Sequence, residues 1–464
     1  MSFKEKCGVI GAIGREFEAA RLIHPGLSAL QHRGQESSGI ATADGSVIRI
    51  HKGMGLVAHV YGLDDLDALH GHIAIGHNRY STSQGSSIEH AQPVLRRDRS
   101  IALAHNGNLP STNALEDFLS EVGVSKNGSN DSEMMVDAIR YLMERGASVE
   151  DAIIDAYPLF TGAFSLLVAT KDKMIAVRDP RGIRPLTIGK LDGGYLVASE
   201  TCALDTLGAQ SQIDVQPGQM VVFSESGMQQ YQIEQGQQKL DIFEFVYFAR
   251  PDSMLLGQRV NEVRRRLGIY LADEAPVLAD VVIPVPESAI PAALGYAYRL
   301  GIPYDTGLIK NRYIHRTFIT PEQHIRDRSV ALKLRPIPEI VGGKRVVIID
   351  DSIVRGTTSR KIVELVRQAG ACEVHLRIPA PPVLYPDFYG IDTPDQNKLV
   401  AAHKSLEEIR LLTGADSLEY LSYESLIKAT NLPEELFCTS CFTGIYPIDI
   451  RERLPEVKRV IFKR

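Results

Sequence analysis

The stretch Arg345–Ser359, R-V-V-I-I-D-D-S-I-V-R-G-T-T-S, constrains the fold more than any other part of this chain. Val346–Ile349 is a continuous β-branched run too short for a helix, which predicts a strand buried on both faces of a parallel sheet. Asp350 and Asp351 end that strand with adjacent carboxylates. Arg355-Gly356-Thr357-Thr358-Ser359 then leads into Arg360–Ala369, where Ile362, Leu365, Val366 and Ala369 recur at helical spacing and Gly370 closes the helix. A hydroxyl-rich loop that contains glycine and opens a helix presents free backbone N–H groups at the positive end of a dipole, which suits a phosphate. Like charge keeps the two aspartates off that phosphate, so they suit sugar hydroxyls or a Mg²⁺ ion beside the sugar. The ligand implied is a sugar phosphate.

The 464 residues exceed what one core usually spans and predict two domains. A formal charge of -6 with no basic tract argues against a nucleic-acid surface, so the sugar phosphate is expected to be a free small molecule. No apolar run reaches membrane-spanning length, and Met1–Lys6 is too short and polar for a secretory signal, which predicts a cytoplasmic protein. The five cysteines, Cys7, Cys202, Cys372, Cys438 and Cys441, are scattered and odd in number, unlike a disulfide framework. At least one must be explained by reactivity or burial.

Cys7 opens a strand-like run, Cys7–Ile13, almost at the start of the chain. Removal of Met1–Lys6 would give it both a thiol and a free α-amine, and an amine with a pKa of about 7.7–8.0 can act as local base for a thiol of about 8.5. A cysteine in an apolar strand is otherwise a core residue. The polar segments that follow favour chemistry. Gln31–Gly39 is Gly-punctuated and polar; Gly76–Thr82 follows Ile73–Ile75, and Ala104–Leu109 follows Ile101–Leu103, each expected at the end of a short strand. These residues suit glutamine hydrolysis: Asn106 and the Gly107 N–H as oxyanion donors, Arg79 as a planar fork for the α-carboxylate, Asp131 for the α-ammonium. The sequence leaves other roles open: a hairpin turn for Asn106-Gly107, an ion pair for Arg79, a helix cap for Asp131.

The Asp350–Ser359 run resembles the signature with which type I phosphoribosyltransferases bind 5-phosphoribosyl-1-pyrophosphate (PRPP). Cys7-Gly8, Gln31–Gly39, Gly76–Tyr80, His105–Asn108 and Asp131 resemble the class II glutamine amidotransferase domain, with departures at Gln84 and Asn130. Together, over nearly the whole chain, they are similar to the glutamine phosphoribosylpyrophosphate amidotransferase family. The resemblance implies an α+β and α/β chain: a leader, 1–6, that is removed; an N-terminal-nucleophile αββα sandwich, 7–240; and a type I phosphoribosyltransferase parallel-sheet domain with a C-terminal helical region, 241–464. It implies Cys7 as nucleophile, Asn106 and Gly107 as the oxyanion site, and Arg33, Arg79 and Asp131 as glutamine ligands. Lys310, Arg316, Asp350, Asp351, Arg355, Gly356, Thr357, Thr358 and Ser359 are the implied PRPP ligands. Ser288, Asp350 and Asp351 are those of Mg²⁺.

The expected reaction converts glutamine and PRPP into 5-phosphoribosylamine, glutamate and pyrophosphate at the start of purine synthesis; a PRPP-sensing regulator without catalysis is the alternative. The resemblance further implies a homotetramer inhibited by purine nucleotides, a basic loop at Lys310–Lys333 that closes over PRPP, and neither nucleic-acid nor membrane partners. One branch of the family holds a [4Fe–4S] cluster through four cysteines. Asp241 and Asp387 stand at two of those positions here, beside Cys438 and Cys441, so no cluster is expected.

Overall fold

Gly8–Gly14 is buried along its whole length because each of its faces meets a different layer. Val9 and Ile13 point into a core shared with Ala102, Leu167 and Met174 of a second sheet, while Ile10 and Ala12 pack under Ile23 and Leu27 of the helix Ala19–Ala29. The computed structural model describes residues 7–80, 87–125, 129–311, 333–390 and 395–463.

Around this strand runs a seven-stranded sheet in the spatial order Ser211–Asp214, Thr187–Leu191, Gly194–Ala198, Gly8–Gly14, Ile73–Arg79, Ser37–Ala43, Ile48–Met54. A six-stranded sheet faces it: Gly227–Gln232, Gln219–Ser224, Met174–Arg178, Thr161–Ala169, Ala102–Ser111, Val94–Leu95. The helices Asn113–Glu121, Asp131–Glu144 and Val149–Ala156 cover the outer face of the second sheet through Leu115, Met135 and Ile153. This is the αββα order expected.

Two motif segments differ from the expectation. Gly76–Arg79 and His105–Asn108 lie within strands, not beyond their ends. Their polar side chains are accommodated because the buried His77 and Asn78 reach carbonyl oxygens: His77 Nε2 lies 3.1 Å from His105 O, and Asn78 Nδ2 donates to Leu27 O at 2.7 Å. Asn106-Gly107 is therefore not a hairpin turn.

The chain leaves the sandwich along the Pro180–Ile183 loop, where Gln237 N and Lys239 N donate to Pro180 O and Arg181 O. Leu240–Asp241 then pairs with Phe437–Cys438 of the second half. That half is built on a four-stranded parallel sheet, Val281–Pro284, Arg345–Ile349, Glu373–Ile378 and Ser417–Tyr420, with Val346–Ile349 fully buried. Pro284 lies opposite Ile349, so the loops after both strands emerge side by side at the carboxyl edge, where open α/β sheets bind ligands. The helix after the aspartates spans Thr357–Gln368 and starts three residues before the expected Arg360. Gly356, left-handed at φ 76°, turns the chain sharply enough for both threonines to enter the first turn. Leu308–Lys310 and Leu334–Pro336 pair antiparallel at the base of the expected basic loop; 312–332, including Arg316, lies outside the described residues. Among the described residues no helix is long and apolar enough to cross a membrane.

Candidate active site

Cys7 stands immediately before the central strand, half-buried, its Sγ 4.0 Å from the carbonyl oxygen of Tyr80. Register explains the contact: Gly8 pairs with Asn78, so the residues following Arg79 pass the thiol. Burial pushes the Cys7 thiol up, Arg79 opposes this, and Asp131 and Glu36 add to it. The fold thus gathers Cys7, Arg79 and Asp131 from the beginning of one strand, the end of its neighbour and a helix on the other sheet. Arg79 Nη1 donates to Glu36 Oε1 at 3.1 Å.

Asp131 is not the cap of its helix. Asn130 takes that place, its Oδ1 accepting from Glu133 N at 2.9 Å while Glu133 Oε2 accepts from Asn130 N at 3.0 Å. Asp131 Oδ2 accepts from Leu109 N at 3.4 Å and lies 3.7 Å from His105 Nδ1. The carboxylate is therefore held beside the His105–Asn108 strand. On that strand Asn106 Nδ2 donates to Ser199 Oγ at 3.5 Å, and Ser199 Oγ accepts from Val9 N at 2.9 Å. Ser199 thus ties the amide of Asn106 to the strand that begins at Cys7, a role the sequence reading missed. Gly107, at φ 154°, lies so close to the next strand that a Cβ would come within 2.0 Å of Ala163 O.

At the second site, Asp350 and Asp351 are buried at the carboxyl end of their strand. Asp351 accepts from Ser288 Oγ at 2.5 Å and Ser352 Oγ at 2.7 Å, which joins the two adjacent strand-end loops. Burial and the neighbouring Asp351 charge push the Asp350 carboxyl up from its ordinary value. Thr357, Thr358 and Ser359 form the first helical turn, with Arg355 and Thr357 exposed. Where the two halves meet lies a cavity of about 680 Å³. Its lining draws on both halves, with His32 and Arg33 from the sandwich and Tyr247, Phe248, Arg264, Ser288 and Lys310 from the second half.

Residues 77–206 match the family described as glutamine amidotransferase domain, and residues 257–380 the phosphoribosyl transferase domain. The amidophosphoribosyltransferases of Synechococcus elongatus and Bacillus subtilis are 46% and 44% identical to this chain, each across 99% of it and across 94% and 98% of their own lengths. The chain belongs to the amidophosphoribosyltransferase family. A solved structure described as the allosteric regulatory enzyme of purine biosynthesis superposes with a TM-score of 0.90 at 42% identity, covering 98% of this chain and 99% of the other. The Bacillus subtilis glutamine PRPP amidotransferase complexed with ADP and GMP gives 0.89 at 43% identity, covering 96% and 98%. An amidophosphoribosyltransferase is a pentosyltransferase that takes nitrogen from glutamine for purine synthesis, and this chain carries both halves of that enzyme. The relatives carry an enzyme's name, which favours catalysis over a PRPP-sensing regulator.

Within this chain, Arg33 departs from its expected role. Its guanidinium is fully buried and donates to Glu200 through Nε and to Glu244 through Nη2, so its fork faces carboxylates of the protein and not a glutamine. The four positions compared with the cluster-bearing branch do come together. Asp241 pairs in register with Cys438, and the carboxylates of Asp241 and Asp387 act on both Cys438 and Cys441. The donor set does not suit a four-thiolate cluster, because Arg184 Nη1 donates to Asp241 Oδ2 at 2.7 Å and Arg184 Nη2 lies 3.9 Å from Asp387. Burial pushes Cys438 up to about 12 and Cys441 well above its ordinary value, so both remain neutral thiols packed in the core.

Proposed function

We propose that the reaction is divided between the two sites residue by residue. Loss of 1–6 from the amidotransferase domain, 7–240, gives Cys7 its free α-amine, which takes the thiol proton; this matters because burial holds the thiol up. The thiolate attacks the side-chain amide of a glutamine held by Arg79 and Asp131, with Asn106 Nδ2 and the Gly107 N–H stabilising the oxyanion. Ammonia leaves, and water hydrolyses the thioester to glutamate. In the phosphoribosyl domain, 241–464, the first turn Thr357–Ser359 with Arg355 and Gly356 binds the 5-phosphate of PRPP, and Asp350 and Asp351 face its ribose. Lys310 supplies a cation to the pyrophosphate, the role also expected of Arg316. Asp350, Asp351 and Ser288 offer only oxygen donors, which suits Mg²⁺, and the ion would supply neutralising charge to the departing pyrophosphate. Ammonia displaces pyrophosphate at C1 and yields 5-phosphoribosylamine.

What supports the reading is the cavity where the halves meet. Its lining includes Arg33, which packs against Gly8, next to Cys7, and Ser288, a partner of Asp351. Ammonia is protonated and lost in bulk water, so a short path through the junction of the halves would raise its yield at C1. Purine nucleotides compete through their own 5′-phosphate at Arg355–Ser359, in line with the nucleotide-bound relative. We place the enzyme in the cytoplasm as a homotetramer without an iron–sulfur cluster. A coupled assay for glutamate and pyrophosphate tests the function: with both substrates present, equal release of the two is expected. Glutamate release unaccompanied by pyrophosphate when PRPP is present would contradict the reading.

A further inference from the structure

Two arginines and four carboxylates are buried together where the halves meet. Arg33 donates to Glu200 and Glu244; Arg184 donates to Asp241 at 2.7 Å and lies 3.5 Å from Glu244. The arginines come from the sandwich, whereas Glu244, Asp241 and Asp387 come from the segments after Leu240. Glu200, just ahead of the helix Thr201–Thr206, faces both ways. Its Oε1 lies 2.7 Å from His32 Nε2, and its Oε2 accepts from Arg250 N at 2.9 Å and Ser253 Oγ at 2.6 Å.

This network begins beside the nucleophile. A Cβ on Gly8 would come within 3.3 Å of both Cβ and Cδ of Arg33, so the strand residue following Cys7 rests on the arginine stem. It ends in Arg250–Ser253, part of the segment whose Tyr247, Phe248 and Arg250 line the cavity toward the phosphoribosyl site. Buried ion pairs contribute little net stability, because desolvation offsets their attraction. They do fix one geometry, since every donor and acceptor must stay matched in a medium without water.

We propose that Glu200 and Glu244 are positioning residues that clamp Arg33, and through it the Cys7–Gly8 strand start, to the Tyr247–Ser253 segment, so that PRPP occupancy alters glutaminase turnover. The inference rests on the function proposed above and names the residues that link its two sites. Neither carboxylate touches a substrate.

Glu244→Gln keeps the shape and removes the charge. Glutaminase without PRPP and ammonia-dependent synthesis should stay within about threefold of the parent, while stimulation of glutaminase by PRPP falls about tenfold. The loss should appear as a raised KM for glutamine measured with PRPP, with kcat measured without PRPP unchanged. Ser253→Ala removes one hydroxyl from Glu200 and should lower the same ratio by about threefold. If Glu244→Gln does not fold, Ser253→Ala decides. A stimulation ratio equal to the parent's, whether both basal activities persist or fall in parallel, would overturn the inference and leave the network a scaffold. A parent enzyme with no PRPP stimulation would overturn this inference, whereas the proposed function falls only if glutamate and pyrophosphate are not released together.

Discussion

In the proposed reaction Asn106 works through a single amide nitrogen, so its replacement should separate the two chemistries. Asn106→Ala removes one oxyanion donor, so kcat of the glutamine-dependent reaction should fall by about 10²–10³, or 2.7–4 kcal/mol. Ammonia-dependent synthesis by the same variant should be unchanged; a matching loss there would refute the role. Glu244 provides a pH signature. Burial, reinforced by Glu200 and Asp241, pushes it up to about 7 from an ordinary 4.5, against the pull of Arg33 and Arg184. Below pH 4.5 folded and unfolded chains both hold this proton. Between 4.5 and 7 only the folded chain holds it, so stability declines with rising pH by about 1.4 kcal/mol per unit from this group, and no further above 7. Glu244→Gln should abolish that slope: relative to the variant, the parent's melting temperature should drop between pH 5 and pH 8. Equal pH profiles would show that Glu244 is ionised throughout. The sequence singles out Cys7, Asn106 and Asp350 because the chemistry argued for each is local to its own motif. Arg33 was misread because its partners Glu200 and Glu244 lie 167 and 211 residues away, and a polar loop does not announce which of its charges turn inward. Ser199 gave no signal for the same reason: its meaning lies in Val9 and Asn106, not in its neighbours.

The strand Arg345–Ile349 was legible because an uninterrupted β-branched run has few alternatives, whereas the start of the following helix was not. Thr357, Thr358 and Ser359 are poor helix formers that read as loop, and the tertiary turn at Gly356 brought them into the helix. That turn makes Gly356 a test of the phosphate site. Alanine at φ 76° should cost about 1–2 kcal/mol, and its Cβ would sit 3.0 Å from Leu412 Cδ2. Gly356→Ala should therefore lower the melting temperature and raise KM for PRPP, with PRPP-independent glutaminase unchanged; an unaltered KM for PRPP would detach this turn from the substrate. The His77–Arg79 and His105–Asn108 segments show the opposite difficulty. Polar residues buried on both faces of a strand break the alternation by which strands are recognised, and only their bonds to carbonyls such as Leu27 O and His105 O reveal why the strand continues.

At the scale of the whole molecule, the division into a sandwich and a parallel-sheet half could be read from the two motif sets. Their joining could not. The Leu240–Asp241 strand pairing with Phe437–Cys438, the buried Arg33 and Arg184 networks and the cavity where the halves meet all depend on residues distant in sequence. In the proposed reaction Cys7 delivers nitrogen to a phosphoribosyl site that can otherwise use free ammonia. The direct measurement is 5-phosphoribosylamine formation by Cys7→Ala, with glutamine and, separately, with ammonium at alkaline pH, where free ammonia is abundant. The variant lacks the nucleophile but keeps Asp350, Asp351 and the Arg355–Ser359 turn. It should form product from PRPP and ammonium at close to the parent rate and none from PRPP and glutamine. Product from both nitrogen sources at equal rates, or from neither in a folded variant, would contradict the account.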